Sequence, residues 1–261
     1  MTRPDLAAAG AGGPTAPAPP VAPRDPWAPL ALPPLPPPPP GAAPGPVRVL
    51  HASAALLVAL KPAGLPSVPG RAPGLDDCLI ARLTGAFPDA RIVHRLDLAV
   101  SGVIALARGA AAQRHLGLQF ERRGAAKTYL ARVAGLPEDD GGEIALPLRA
   151  DWPDRPRQQV HAEGRAALTR WRVLARDPAA APRGASLLRL SPGTGRSHQL
   201  RLHLAAIGHP ILGDPLYADE PALAAAPRLL LHAETLTLRH PEGGRPITFA
   251  APCPFAEVPP P

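Results

Sequence analysis

The distribution of proline limits which part of this chain can form a compact fold. Seventeen of the 40 prolines lie in residues 1–46, and alanine and glycine make up most of the remainder of that segment. Because such a segment has few large apolar side chains to bury, nothing offsets the entropy that it would lose on ordering. We therefore expect residues 1–46 to be a disordered Pro/Ala-rich tail, followed by one folded domain over residues 47–261.

The charge of the chain is concentrated in the expected domain. The formal net charge is +7, and residues 1–46 contribute nothing to it because two arginines there balance two aspartates. A basic globular domain favours a polyanionic partner, most often a nucleic acid. An arginine-rich composition also follows from genomic base composition, so charge alone leaves both interpretations open.

The chain lacks the sequence signals of secreted, membrane and metal-binding proteins. Cys78 and Cys253 are far apart and form no CxxC pair, so neither a disulfide framework nor a cysteine zinc site is expected. His198 and His203 predict no metal site either, because their spacing separates them on a helix. No signal peptide is recognisable, and the longest apolar stretch, residues 52–60, is too short to cross a bilayer. We expect a cytoplasmic protein that does not bind membranes.

The pattern of apolar residues indicates more strands than helices. Alternating or continuous apolar runs predict strands, several of them joined by short turns. Apolar residues at helical spacing are limited to a few short segments. Together these patterns predict an α+β fold with a mostly antiparallel central sheet and flanking helices and loops. The main predicted strands are residues 127–135, 167–175 and 185–192, and the predicted helices begin near residues 76, 111 and 197.

The segment HRLD, residues 94–97, is the first candidate site. It lies in a predicted loop between two apolar strands and is followed by Ser101 and Gly102. An acid, a guanidinium and an imidazole on a short loop beside a rigid strand suit a reactive site. Taken alone, an exposed turn in which Asp97 caps a backbone N–H is the commoner interpretation. A protein-kinase catalytic loop is excluded, because no Gly-rich loop or Asp-Phe-Gly motif accompanies the segment.

The segment GTGRSHQLR, residues 193–201, is the second candidate. A glycine turn that opens a helix, with two arginines nearby, suits the binding of an anion at the helix N-terminus. A capped helix with solvated arginines is the simpler alternative. We expect Ser197 to cap this helix and Leu200, Leu204 and Ile207 to face the core.

Several longer blocks in one order resemble the RluA family of pseudouridine synthases. They are HRLDLAVSGVIALA, KTYLARV and GTGRSHQLRLHLAAIGHPILGDPLYA, with KPAGLPSVPGR before them and LLLHAETLTLRHP after them. The likeness covers residues 48–252, and several long motifs in order are more specific than any short pattern. It implies the catalytic fold of enzymes that isomerise uridine to pseudouridine in RNA, without a metal or an organic cofactor. Val100 replaces the family's usual threonine but supplies no reacting group.

The resemblance implies three catalytic residues. Asp97 matches the catalytic aspartate, which attacks the sugar carbon or adds to the base, and the sequence leaves both routes open. Tyr129 matches the tyrosine that stacks on the target base and helps to remove the C5 proton. Arg201 matches the partner of the aspartate, whose guanidinium would keep the acid ionised and fix its position.

The same resemblance implies RNA-binding residues around that centre. Arg95 resembles the arginine that enters the space left by the flipped nucleotide, because C5 and N1 cannot be reached in a stacked base. His94 and Arg196 are expected to contact RNA as well. Leu231 is expected to line the base pocket.

The resemblance also implies which RNAs are bound. Residues 146–160, LPLRADWPDRPRQQV, are most similar to a dual-specificity member of the family that modifies a tRNA anticodon stem-loop and a 23S rRNA hairpin. That member lacks the S4 RNA-binding domain of larger relatives, and residues 1–46 leave no room for one. We expect a monomer that binds these two RNAs. Two alternatives stay open: a relative that acts on ribosomal RNA alone, and a catalytically inactive RNA-binding protein with the same fold.

Overall fold

The computed structural model describes residues 44–70, 76–180 and 182–256. The predicted tail over residues 1–46 lies almost wholly outside the described residues and stays a prediction. Its last three residues, 44–46, do belong to the described part. There the Arg82 guanidinium donates a hydrogen bond of 2.9 Å to the carbonyl of Gly45. Residues 44–46 are therefore bound to the domain.

Strands dominate the described residues. The strands are β1 (Arg48–Ala52), β2 (Leu56–Lys61), β3 (Ala90–Ile92), β4 (Ser101–Arg108), β5 (Ala126–Ala134), β6 (Gly141–Ile144), β7 (Leu148–Ala150), β8 (Gln158–Val160), β9 (Thr169–Asp177), β10 (Ala185–Pro192), β11 (Leu231–Arg239) and β12 (Pro246–Ala250). The central sheet has the order β1-β2-β4-β11-β5-β10-β9-β6, with β12 paired to β11 and β3 paired to β4. Strands β7 and β8 form a separate hairpin. The predicted α+β fold with a mostly antiparallel sheet is confirmed.

Short helices cover parts of this sheet. The helices are α1 (Leu79–Thr84), α2 (Gly109–Glu121), α3 (Gln199–Ala206) and α4 (Glu220–Ala224). The three predicted helix starts are correct to within three residues, and α4 was not predicted. In α3, Leu200 and Leu204 are buried as expected. The expectation for Ile207 is wrong, because it follows the last helical residue and is exposed. No helix of the described chain is long and apolar enough to span a membrane.

Helix α3 begins in a different way from the prediction. Its N-cap residue is His198, in the left-handed conformation with φ of 53°, and no side chain caps it. The Gln199 side-chain oxygen instead accepts hydrogen bonds from the Arg196 amide (3.0 Å) and the Thr194 hydroxyl (2.7 Å). The prediction that Ser197 caps the helix is wrong, because Gln199 satisfies the donors of this turn.

Among the described strands, a single parallel contact joins the two parts of the sheet. His232 and Ala233 of β11 pair with Ser101 and Gly102 of β4. Gly102 has φ of 125°, and a Cβ atom there would lie 2.3 Å from the carbonyl oxygen of Ala233. Only glycine permits so close an approach of two backbones. This contact lies directly after the loop that carries the HRLD segment.

We predict that Gly102→Ala destabilises the domain by at least about 3 kcal/mol, because backbone strain and overpacking add. The matched control is Gly117→Ala in α2, where an added Cβ meets no atom within 4 Å. That change should instead stabilise the helix by about 0.5–1 kcal/mol. Urea unfolding of both variants measures the difference, and equal midpoints would contradict the assigned role of Gly102.

Candidate active site

The loop between β3 and β4 carries Asp97 into a wide cleft. The carboxylate is 34% exposed and lines a cleft of about 1390 Å³. Residues 193–201 line the same cleft, as does the hairpin loop between β7 and β8. The two candidate segments, about 100 residues apart in the sequence, therefore form one site.

Hydrogen bonds fix the backbone on both sides of Asp97. The Ser67 hydroxyl donates to the carbonyl of Leu96 (2.8 Å) and accepts from its amide (3.1 Å). The amide of Gly64 donates to the carbonyl of Leu98 at 2.9 Å. All three bonds come from the segment that follows β2, so that segment holds the loop in one conformation.

Lys61 lies fully buried at the end of β2 and supports the same loop. Its ammonium donates to the carbonyl oxygens of Pro62 (3.0 Å), Leu65 (2.7 Å) and Leu98 (3.2 Å). Burial lowers the pKa of Lys61 to about 7, and the negative charge of Asp97 opposes that effect. The sequence reasoning did not identify this residue. Its one signal was a lysine ending an otherwise apolar run, LLVALK.

Arg201 lies between two carboxylates. It forms two hydrogen bonds with Asp214, at 2.8 and 2.6 Å, and its third nitrogen lies 3.6 Å from Oδ2 of Asp97. Burial works to lower the pKa of Arg201, but the hydrogen bonds and charge of Asp214, together with the charge of Asp97, raise it above its usual value. The guanidinium is thus a fixed positive charge beside Asp97. Asp214 was not predicted, although it lies within the quoted block GDPLYA.

His198 and Tyr217 complete the surroundings of Asp97. The Nε2 atom of His198 lies 3.9 Å from Oδ2 of Asp97, and its Nδ1 atom lies 2.8 Å from the Tyr217 hydroxyl. That hydroxyl accepts a hydrogen bond from the amide of Gln158 (2.8 Å) and so is free to donate to Nδ1. In this network the proton of the neutral ring is on Nε2, facing Asp97. Burial lowers the pKa of His198, against the raising effect of Asp97.

Tyr129 reaches the cleft from β5 and lines it together with Asp97. Burial raises the pKa of Tyr129 above its usual range, and the negative charge of Asp97 raises it further. The phenol is therefore neutral at ordinary pH. The neutral phenol can stack on a nucleobase, but it can act as a general base only after it has lost its own proton.

His94 has a structural role beside β4 and α2. Its Nε2 atom accepts a hydrogen bond of 3.0 Å from the amide of Ala105, and its ring stacks on Phe120 with centroids 4.2 Å apart. Burial, with a smaller effect from Lys127, lowers the pKa of His94 to about 3. His94 lines the cleft but supplies no positive charge for RNA, and Nε2 is already occupied.

The other predicted RNA-binding residues also line the cleft. Arg95 is exposed there, whereas Leu231 is buried in the wall, as is Val100. The apolar side chains of Leu231 and Val100 suit a flat base, and the exposed cation of Arg95 suits a phosphate. Their predicted roles stay predictions.

Arg196 belongs to a group of three arginines in the cleft. Its Nε atom donates to the carbonyl of Ala166 at 3.1 Å, which fixes the side chain. Burial lowers the pKa of Arg196, and the charges of Arg165 and Arg123 lower it further. Arg123 and Arg165 were not predicted. Because like charges repel, an anion such as a phosphate would stabilise this group of arginines.

The two histidines near α3 point to different parts of the molecule. His203 is buried and bonded to the Thr169 hydroxyl and the Leu146 carbonyl, each at 2.9 Å, whereas His198 faces the cleft. Within the described ranges, no three His, Cys, Asp or Glu side chains lie close enough together to hold a metal ion.

Residues 55–206, which contain Asp97, Tyr129 and Arg201, match the family model of RNA pseudouridylate synthases. The chain is 50% identical over 202 residues to the dual-specificity RNA pseudouridine synthase RluA of Yersinia pestis, covering 77% of this chain and 96% of the relative. It is 49% identical over 208 residues to the protein of the same name from Escherichia coli strain K12, covering 79% and 93%.

Two solved human structures are similar to the fold. The structure of RNA pseudouridylate synthase domain containing 1 gives a TM-score of 0.68 at 28% identity, over 82% of this chain and 87% of that chain. The structure of RNA pseudouridylate synthase domain containing 4 gives 0.63 at 25% identity, over 80% and 89%.

We predict that Asp214→Asn lowers the free energy of unfolding by about 3–5 kcal/mol, because it leaves the buried Arg201 charge without its partner. The matched control is Asp140→Asn, which removes an exposed ion-pair partner of Arg176. That change should cost less than about 1 kcal/mol. Denaturant unfolding measures both, and equal losses would show that Asp214 does not anchor Arg201.

Proposed function

The chain belongs to the RNA pseudouridylate synthase family, and we propose that Asp97 is the residue with which it isomerises uridine in two kinds of structured RNA. One observation carries the assignment of Asp97. A partly exposed carboxylate lies 3.6 Å from a guanidinium that is itself 96% buried and fixed by a second carboxylate. A carboxylate beside a fixed cation in a basic cleft suits covalent catalysis.

The reaction needs a carboxylate but no oxidant or reductant. The bond between N1 of the base and C1′ of the sugar breaks, the base turns, and C5 bonds to C1′ in place of N1. The proton leaves C5 and N1 ends with a proton, so substrate and product are isomers. Asp97 either displaces the base by attacking C1′, and C5 of the turned base then breaks the ester bond between Asp97 and C1′, or it adds to the ring of the base and is eliminated again after C5 has bonded to C1′.

The cleft also provides for extrusion of the target base. Asp97 can reach a uridine only when the base is unstacked, and Arg95 is exposed where it can fill the space left behind. Tyr129 and Leu231 supply flat and apolar surfaces on which the flipped base packs. The arginines around Arg196 bind the phosphates that flank it.

The proposal includes two RNA classes, a tRNA anticodon stem-loop and a 23S rRNA hairpin. The relatives named dual-specificity RNA pseudouridine synthase are identical to this chain at about half of the aligned positions. A cleft that recognises the shape of a loop and its phosphates can bind two hairpins that lie in different RNAs. Extruding the target base costs less in a loop, because loop bases are already partly unstacked.

We also propose that the protein acts as a cytoplasmic monomer. Nine large apolar side chains of the described residues are exposed, and two of them, Leu98 and Trp152, line the cleft. The other seven come from seven different elements and loops. Single exposed apolar residues of this kind are normal on monomeric surfaces.

We predict that Asp97→Asn abolishes pseudouridine formation while changing RNA affinity by less than about tenfold. The amide keeps the size of the carboxylate but is a much weaker nucleophile. Tritium release from C5-labelled uridine in a synthetic hairpin measures turnover, and filter retention measures binding. Asp139→Asn, in the exposed turn before β6, is the matched control and should keep wild-type turnover. Normal turnover by Asp97→Asn would refute the assignment.

We predict that isolated hairpins are sufficient substrates in the presence of EDTA. One hairpin carries a tRNA anticodon loop and the other carries the matching 23S rRNA loop, and pseudouridine is mapped in both after incubation. Modification of both supports the proposal. Modification of intact ribosomal RNA alone favours the rRNA-specific alternative. Tight binding without any product favours an inactive RNA-binding protein.

A further inference from the structure

Trp152 is the most exposed large apolar side chain of the described residues, with 70% of its surface accessible. It lies in the loop between β7 and β8 and lines the same cleft as Asp97. A tryptophan that served only to pack the hairpin would be buried, because indole has a large apolar surface. An exposed indole in a basic cleft therefore requires a different explanation.

One face of the indole is already occupied. The guanidinium carbon of Arg155 lies 3.4 Å from the centroid of the Trp152 ring. A cation stacked on the ring holds it in one orientation. Trp152 lines the cleft, and its 70% exposure shows that much of the ring stays accessible beside Arg155.

The loop that carries this pair is held in a fixed shape. The amide of Asp151 donates to the carbonyl of Arg157 (3.0 Å), and the amide of Arg157 donates to the carbonyl of Asp154 (2.9 Å). An ion pair of 3.1 Å joins the Arg157 and Asp154 side chains. The aromatic face is thus presented by a closed turn.

The same hairpin is hydrogen-bonded to a side chain near Asp97. The amide of Gln158, at the start of β8, donates to the Tyr217 hydroxyl at 2.8 Å. That hydroxyl lies 2.8 Å from Nδ1 of His198, whose Nε2 lies 3.9 Å from Asp97. The hairpin that carries Trp152 is therefore connected through Tyr217 to His198, which lies beside Asp97.

We propose that Trp152, backed by Arg155, is a stacking platform for an unpaired nucleobase next to the target uridine. This inference rests on the proposed function of the cleft. Stacking on an aromatic ring accepts any base, because every base has a π-face. A platform of this kind places the RNA loop by shape rather than by sequence, which suits one cleft that acts on two different loops.

The test compares three variants on the anticodon hairpin. Trp152→Ala should raise KM about tenfold and change kcat by less than about twofold, because removing one base–aromatic stack weakens binding without touching Asp97. Trp152→Phe keeps an aromatic face and should stay within about threefold of wild-type KM. Leu174→Ala, an exposed apolar residue of β9, is the control and should not differ from wild type. Circular dichroism checks that every variant is folded.

A second arm identifies the stacked base. Each loop nucleotide other than the target is replaced in turn by an abasic residue, and KM is measured with wild type and with Trp152→Ala. At one position the abasic RNA should raise KM for wild type and abolish the difference between the two proteins. If Trp152→Ala leaves KM unchanged on the intact hairpin, or raises KM equally on every abasic RNA, the platform is overturned while the proposed function stands. Wild-type protein that modifies no RNA overturns both.

Discussion

The arrangement of the active site depends on one guanidinium shared by two carboxylates. Asp214 is completely buried and holds Arg201 through two hydrogen bonds, which directs the third nitrogen of Arg201 towards Asp97. A buried ion pair adds little net stability, because desolvation offsets most of the attraction. The ion pair between Asp214 and Arg201 instead fixes the position of the Arg201 guanidinium. Arg201 cannot follow Asp97 outwards into solvent, so the partly exposed carboxylate keeps a fixed cation at its side.

Backbone contacts from two directions hold the loop of Asp97 against that cation. On one side, Lys61 and Ser67 bond to the carbonyls of Leu98 and Leu96. On the other, Gly102 allows β4 to approach β11 more closely than any side chain would permit. A loop fixed at both ends loses little entropy when substrate binds, which is how a rigid scaffold prepares a reacting group.

The sequence predicted the parts of the site that depend on local patterns, and it did not predict those that depend on contacts between distant residues. Alternating apolar residues predicted β5 and β10, and the resemblance to a family located Asp97 and Arg201. Asp214 could not be assigned, because no spacing rule relates it to Arg201. Ser197 was chosen as a helix cap on residue type alone, whereas the side chain of Gln199 bonds to the donors of that turn. The parallel pairing of β4 with β11 was likewise missed, because the strands are over 120 residues apart.

A hydrogen-bonded path connects the β7–β8 hairpin to His198, which lies beside Asp97. The hairpin of β7 and β8 lies outside the central sheet, yet Gln158 bonds to Tyr217 and Tyr217 contacts His198 beside Asp97. Any group that binds the hairpin is thereby positioned relative to Asp97. His198 has a left-handed backbone conformation at the start of α3. Its ring lies between Tyr217 and Asp97. Strain of that kind persists only where surrounding contacts over-determine it. Here those contacts are the Tyr217 hydroxyl and the hydrogen bonds of Gln199.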